Sequence, residues 1–304
     1  MAGTSPARTS KVFTLAHLSD PHLAPLPEPH WSELANKRIT GYLNWRKKRR
    51  FVHDRAVLGK IVADLKAQKP DHIAVTGDLA NIALPQEFER GRDWLKGLGT
   101  PQQISFVPGN HDAYVRAGMG YAIRQWGDYM CGDHEAADFP YLRRRGPLAL
   151  IGLSSAVPTA PFMATGRLDS EQLARLAEML GELKTEPLFR VVLIHHPPIS
   201  KAGRLKRLVD SDALKRVLAE HGADLLLHGH DHLHMLNWLA GPNGASVPAV
   251  GVPSASAAPG MSHDSAAYNL YVIGGTPGVW TCEMISRGVD AAGTVVEQKR
   301  TMLT

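Results

Sequence analysis

Short apolar runs of β-favouring residues recur along the chain, and each run ends in polar side chains. The polar sequences that follow five of these runs are SDPH, TGDLAN, PGNHD, HHPP and HGHDH. The runs themselves lie at 11–18, 71–75, 103–107, 189–194 and 223–227. Apolar, β-branched stretches of this length that end in turn residues predict strands.

Segments with helical spacing of apolar residues lie between several of these strands. They cover 52–69, 87–99, 169–184 and 211–222. Asp169 is a candidate N-cap for the third of them, and Gly222 ends the fourth. Strands that alternate with helices predict an α/β fold. In open α/β sheets, functional groups gather beyond the carboxyl ends of the strands, so the five polar clusters should converge.

The last part of the chain has a different pattern, with strand-like segments joined by Gly- and Pro-containing turns. These segments are 246–257, 266–274, 278–288 and 293–302. No linker-like stretch precedes them, so we expect one domain over 11–304 with a β-rich part at 246–304. Residues 1–10 have no strand or helix pattern and are expected to form a disordered tail.

Composition narrows the class of protein without identifying it. The apolar share is 44% and the net charge is +5, an excess too small to predict nucleic-acid binding. Cys131 and Cys282 lie far apart and argue against a disulfide framework or a thiolate metal site. No apolar stretch is long enough to span a membrane, and the first residues do not read as a signal peptide. We therefore expect a cytoplasmic protein.

The residues at the predicted strand ends are typical metal ligands. They are Asp20, His22, Asp78, Asn110, His111, Asp112, His195, His196, His230 and His232. Carboxylates and imidazoles without thiolates suit Mn²⁺, Fe or Zn²⁺. There are more of them than one ion needs, so two ions about 3.5–4 Å apart are the natural interpretation.

Taken together, the five motifs HLSDPH, TGDL, PGNHD, HHPP and GHDH resemble those of calcineurin-like metallophosphoesterases. The resemblance runs in order from residue 13 to about residue 233. More narrowly, the motifs resemble the bacterial branch of cyclic-nucleotide and glycerophosphodiester phosphodiesterases. It implies two mixed β-sheets packed together and flanked by helices, in αββα layers.

The resemblance also implies a role for each motif residue. Asp20, His22 and His232 would bind one metal ion, Asn110, His195 and His230 a second, and Asp78 both. The ions would be divalent or of mixed valence, with Mn²⁺ or Fe expected first and Zn²⁺ possible. A hydroxide held between them would attack phosphorus. His111 would act on the phosphoryl oxygens or the leaving group, with Asp112 as a catalytic partner that orients it.

The remaining histidines are expected to play lesser roles. His196 and His234 are candidates for contact with substrate, whereas His228 is expected to pack behind the site. Of the four alternating histidines at 228–234, two should therefore be ligands. His17 and His53 are expected to be packing or surface residues.

Segment 31–51 combines seven Lys and Arg residues with Trp31, Tyr42 and Trp45. It is either a solvated helical insertion or a basic, aromatic rim that attracts anionic substrates or lies on an anionic membrane. Nucleic acid is a weaker interpretation, since other aromatic and basic alternation is sparse.

The expected activity is hydrolysis of small phosphodiesters, such as cyclic nucleotides or glycerophosphodiesters. One alternative is a hydrolase of lipid-linked phosphate or pyrophosphate, peripheral at the inner membrane face. Another is a metal-binding scaffold without turnover. The sequence predicts no oligomeric state.

Overall fold

The computed structural model describes residues 12–133, 136–260 and 264–304. The predicted tail at 1–10 lies outside these residues. The first sheet contains β1 (Phe13–Leu18), β2 (His72–Val75), β3 (Ile104–Phe106), β10 (Ala267–Thr276), β11 (Val279–Val289) and β12 (Val295–Met302). Its strand order is β12-β11-β10-β1-β2-β3. The sheet is mixed, because β1 pairs in parallel with β2 and antiparallel with β10.

The second sheet is also mixed. It contains β4 (Tyr141–Arg145), β5 (Leu148–Gly152), β6 (Phe189–Leu193), β7 (Leu225–His228), β8 (Met235–Ala240) and β9 (Ser246–Gly251), in the order β4-β5-β6-β7-β9-β8. Strands β5, β6, β7 and β9 are parallel, and the two edge strands are antiparallel to their neighbours.

Alternation along the strands sends side chains to two separate cores. Leu15 and Ala74 face the second sheet and pack in the core between the sheets. Ala16, Leu18 and Ile73 face the other way, into a core with the helices that cover the first sheet. Each sheet is therefore apolar on both faces, as a layered α/β fold requires.

Helices cover both outer faces. α3 (Arg55–Ala67), α4 (Pro85–Leu98) and α5 (Gly118–Trp126) pack on the first sheet, and α6 (Ser170–Leu183) and α7 (Ser211–His221) on the second. The predicted N-cap Asp169 accepts a hydrogen bond of 2.7 Å from Gln172 N. Gly222 ends α7 at a φ of 73°. The predicted α/β class with two packed mixed sheets in αββα layers is confirmed.

The basic segment 31–51 forms a series of short helical turns after β1. Trp31–Leu34 is a 3₁₀ turn, and α1 (Arg38–Asn44) continues through the π-helical turn Trp45–Arg49 into α2 (Arg50–Val52). Within the described part of the chain, no helix is long and apolar enough to cross a bilayer.

Candidate metal centre

The loops that follow β1, β2 and β7 hold their polar residues in an unusual backbone conformation. Asp20, His22, Asp78, His230 and His232 all have φ between 36° and 71°. This left-handed region costs a non-glycine residue about 1–2 kcal/mol. All five are predicted metal ligands, so the strain is concentrated where the polar side chains converge.

Hydrogen bonds between the loops maintain this conformation. Asp20 N donates to Gly77 O and His22 N to Asp78 O, both at 3.0 Å. His230 N donates to Oδ2 of Asp20 at 3.0 Å, which joins the second sheet to the first. The arrangement is therefore fixed by the protein itself.

Two motif glycines permit an approach that a side chain would prevent. A Cβ on Gly109 would lie 2.1 Å from Oδ1 of Asp78. One on Gly229 would lie 1.9 Å from Oγ of Ser19 and 2.4 Å from Oδ2 of Asp20. Any side chain at these two glycines would clash with a carboxylate of another motif, Asp78 in the case of Gly109 and Asp20 in the case of Gly229. Gly229 itself is not left-handed; the left-handed residue at this turn is His230, with a φ of 71°.

The first group of converging side chains consists of Asp20, His22 and His232. Nε2 of His232 lies 3.1 Å from Oδ1 of Asp20 and 3.4 Å from Nε2 of His22. Asp20 and His22 are fully buried. Each residue of this trio offers a ligand atom within 4.8 Å of the others.

The second group adjoins the first through Asp78. Nε2 of His195 lies 3.3 Å from Oδ2 of Asp78 and 3.3 Å from Oδ1 of Asn110. The rings of His195 and His230 are 5.2 Å apart. Oδ2 of Asp78 is also 3.8 Å from Nε2 of His22. Asp78 therefore faces both groups.

Backbone carbonyls determine which ring nitrogens carry lone pairs. His22 Nδ1 donates to Ala80 O at 3.1 Å, and His195 Nδ1 donates to Thr76 O at 2.6 Å. His230 donates through Nε2 to Lys206 O at 2.6 Å. A carbonyl only accepts, so in the neutral form of each ring the opposite nitrogen carries the lone pair that can bind a metal ion. This carbonyl–histidine pairing is typical of metal-binding imidazoles.

Negative charge in the cluster is concentrated on the buried carboxylates of Asp20 and Asp78. Burial alone would raise the pKa of Asp20, but His232 holds it well below its usual range. Burial would lower the pKa of His195, yet the charge and hydrogen bond of Asp78 raise it to about 10. The buried carboxylates thus stabilise positive charge on the neighbouring imidazoles. Divalent cations bound between them would provide that positive charge instead. Donor types, lone pairs and charge all fit two adjacent metal ions.

His111 lies beside the first group but is not oriented as predicted. Its Nδ1 donates to Asn81 O at 2.5 Å, and its ring is 4.9 Å from that of His22. The Asp112 carboxylate instead accepts from the backbone N of Asp78, Ala80 and Gly109 at 2.8–2.9 Å. Asp112 therefore joins the loops after β2 and β3, and the expectation that it orients His111 is wrong.

The two candidate substrate residues lie in different surroundings. Both ring nitrogens of His196 contact protein, Ser155 Oγ at 2.8 Å and Ala164 O at 3.2 Å, and its ring is 4.3 Å from that of His230. His234 instead lines a cavity of about 260 Å³ with Asn269 and Lys299, away from the cluster. His228 is buried, as predicted, at the end of β7.

Sequence reasoning missed two residues at the cluster. The ring of His53 lies 4.4 Å from that of His22 and stacks on Trp45. Arg49 places Nη2 2.9 Å from His22 Nε2 and Nη1 2.8 Å from His111 Nε2. Neither belongs to a local motif, so the only available signal was the unexplained basic segment next to the first motif.

Fold and site together define a two-sheet α/β protein whose strand ends bring together candidate ligands that fit two adjacent metal ions. The family model for calcineurin-like phosphoesterases matches residues 13–234. The chain belongs to this family, which confirms the resemblance, and the family implies two divalent metal ions.

Two curated proteins are similar to part of this chain. A probable cyclic nucleotide phosphodiesterase from Synechococcus is 30% identical over 177 residues, which are 57% of this chain and 62% of the relative. The glycerophosphodiester phosphodiesterase GpdQ of Enterobacter lignolyticus is 26% identical over 187 residues, 61% of this chain and 57% of the relative. The matched part thus spans about three fifths of these relatives.

Solved structures agree on the fold. A dimetal phosphatase from Danio rerio superposes with a TM-score of 0.60 at 11% identity, over 96% of this chain and 98% of that one. The purple acid phosphatase PPD1 of yellow lupin gives 0.60 at 12%, over 95% and 53%. At this identity the likeness concerns the fold alone.

Proposed function

We propose that this protein is a dinuclear metal-dependent phosphodiesterase that hydrolyses small phosphodiesters. The observation that carries the proposal is the pair of adjacent ligand groups with the buried carboxylate of Asp78 between them, 3.8 Å from His22 and 3.3 Å from His195. The names of the two curated relatives, a cyclic nucleotide and a glycerophosphodiester phosphodiesterase, support this substrate class.

We assign the ligands as the family resemblance implies. Asp20, His22 and His232 would bind the first ion, Asn110, His195 and His230 the second, and Asp78 both. The nitrogens that would bind the ions are Nε2 of His22, Nε2 of His195 and Nδ1 of His230, because the other nitrogen of each ring donates to a carbonyl. Two bound ions would supply Lewis-acid chemistry and lower the pKa of a water molecule. The oxygen and nitrogen donors favour Mn²⁺ or Fe, with Zn²⁺ also accommodated.

His111 is assigned to the phosphoryl group. Burial, followed by the charge of Arg49, lowers the pKa of His111 to about 3, so the free ring is neutral. An anionic substrate beside it favours the protonated ring. Protonated Nε2 can then donate to a phosphoryl or leaving oxygen, while Nδ1 stays on Asn81 O. Asp112 acts by holding the loops of Asp78 and Asn110 together.

The test is hydrolysis of bis(4-nitrophenyl) phosphate by purified protein with Mn²⁺, compared with Asn110→Ala and His111→Ala. We expect turnover in the wild type, loss of turnover in both variants, and loss of one of the two Mn²⁺ ions only in Asn110→Ala. A panel of cyclic nucleotides and glycerophosphodiesters then identifies the substrate. If Mn²⁺- and Fe-loaded wild type hydrolyses none of them, the scaffold alternative replaces the enzyme.

Exposed apolar residues favour a second candidate, hydrolysis of a lipid-linked phosphate at a membrane surface. Eight of the thirteen large apolar side chains that are exposed in the described residues lie on segments 31–51, 159–166 and 199–209, which we call the site rim. They are Trp31, Ile39, Leu43, Phe51, Phe162, Ile199, Leu205 and Val209.

The site rim is continuous and adjoins the cluster. Lys37 Nζ donates to Thr159 Oγ1 at 2.8 Å, and Ala164 N donates to Leu205 O at 2.8 Å. The rim carries eleven Lys and Arg residues against the single acidic residue Glu33. Apolar side chains among cations suit an anionic bilayer.

Vesicle sedimentation tests this alternative. We expect binding to phosphatidylglycerol vesicles but not to phosphatidylcholine vesicles, and weaker binding when Arg46, Lys47, Lys48 and Arg50 are replaced by alanine. Arg49 stays unchanged, since it contacts the cluster. Equal sedimentation with both lipids, or with neither, would eliminate the alternative.

A further inference from the structure

Segment 46–50 contains five consecutive cations, of which one is directed at the cluster. Arg46, Lys47, Lys48 and Arg50 are exposed. Arg49 is only partly exposed, and its guanidinium is buried. The turn is π-helical, a geometry that rotates the following side chains relative to an α-helix and is frequent at functional sites.

The hydrogen-bond partners of the Arg49 guanidinium are imidazole rings. It donates to Nε2 of His111 at 2.8 Å, to Nε2 of His22 at 2.9 Å and to Nε2 of His53 at 3.4 Å. No carboxylate in the described ranges forms an ion pair with it. The charges of Asp78 and Asp20 stabilise the guanidinium without direct contact. Both are proposed metal ligands, so bound ions would offset that stabilisation and leave the buried charge to be compensated by an anion. An anion at this position would be stabilised.

The helix that carries Arg49 is firmly attached. The buried Arg38 donates to Ala83 O at 2.6 Å and to Ile82 O at 3.2 Å. Gly41 packs so tightly that a Cβ would lie 2.6 Å from both Ile82 Cγ2 and Tyr114 Oη. These contacts hold α1 and the turn that follows it in place, so the position of Arg49 beside the cluster is fixed.

We propose that Arg49 is a substrate-recognition residue, whose guanidinium binds a non-bridging phosphoryl oxygen of the diester when the metal ions are in place. This inference rests on the proposed phosphodiesterase function. The planar fork of a guanidinium matches two phosphoryl oxygens. Its present partner His111 is the residue assigned to the same group.

The contact with His22 has a second consequence. Nε2 of His22 has one lone pair, so it binds either Arg49 or a metal ion. Metal loading therefore displaces Arg49 from His22 and releases N–H donors for the substrate. Arg49 should oppose metal binding in the free protein and favour substrate binding in the loaded protein.

These opposite effects define the experiment. Arg49→Ala and Arg49→Lys are compared with Arg55→Ala, which removes the same charge from an exposed position six residues further along. Calorimetry measures Mn²⁺ binding to metal-free protein and inorganic phosphate binding to Mn²⁺-loaded protein. KM and kcat for bis(4-nitrophenyl) phosphate are measured in parallel, and circular dichroism checks the fold.

For Arg49→Ala we expect tighter Mn²⁺ binding, with KM and the phosphate Kd raised about 10- to 100-fold. Arg49→Lys should restore part of the phosphate affinity, and Arg55→Ala should match the wild type. If phosphate affinity and KM in Arg49→Ala equal those of Arg55→Ala, the recognition role is refuted. If the wild type hydrolyses no diester, the proposed function fails, and the two calorimetric measurements still decide the role of Arg49.

Discussion

Replacing Gly229 by alanine tests whether close packing behind the cluster is required for metal binding. The added methyl would lie 1.9 Å from Oγ of Ser19, whereas ordinary contact begins at 3.4 Å. The hydroxyl must therefore move by about 1.5 Å, and Oδ2 of Asp20, at 2.4 Å, by about 1 Å. The backbone of Gly229 is not left-handed, so the effect is purely one of space.

The size of the effect follows from these displacements. Overpacking of a buried site costs about 1–3 kcal/mol of stability. Metal–ligand distances vary by only about 0.2 Å between sites. A shift of Asp20 by about 1 Å should therefore lower the affinity for the first metal ion about 100-fold. Both effects are separately measurable.

Gly59→Ala is the matched control. Gly59 lies within α3 with open space around it, so alanine there should stabilise the protein by about 0.5–1 kcal/mol. Urea unfolding of metal-free protein gives the stabilities, and calorimetry with Mn²⁺ gives the affinities. Wild-type stability and Mn²⁺ affinity in Gly229→Ala would refute the reasoning.

Three further predictions concern stability and metal content. Burial alone would raise the pKa of Asp64, but hydrogen bonds from Arg287 and Tyr268 lower it. Asp64→Asn should therefore cost about 1 kcal/mol near pH 7, and urea titrations should show this difference shrinking below about pH 4. Mn²⁺ at 100 times its Kd should add about 2.7 kcal/mol per site, reversed by a chelator in thermal melts. His234→Ala should retain two Mn²⁺ by elemental analysis; loss of one would contradict its placement.

The sequence predicted the convergence of its polar motifs because that convergence depends on topology. Residues after β1, β2, β3, β6 and β7 share one edge wherever such strands lie side by side. Alternating and apolar patterns sufficed to identify these strands. The sequence could not predict the distances, the ring nitrogens that face the site or the hydrogen bond from His230 N to Asp20. These depend on how the loops pack against one another.

Other features have no local signature. β4 carries three consecutive arginines, which look like surface residues, yet Arg143 is buried and donates to the carbonyls of Pro101, Ile104, Asp128 and Cys131. Similarly, the composition of 31–51 left a solvated insertion and a basic rim as alternatives, and which cation turns inward depends on a π-helical turn. Tertiary contacts determined both outcomes.

The proposed ligands come from opposite halves of the sandwich. Asp20, His22, Asp78 and Asn110 follow strands of the first sheet, whereas His195, His230 and His232 follow strands of the second. Each ion would thus cross-link two sheets that are otherwise held together by apolar contacts and a few loop hydrogen bonds. Removal of the ions by a chelator should first loosen the interface between the two sheets. The rate of hydrogen exchange at the ends of β1 and β7 should therefore rise before the rate in the outer helices.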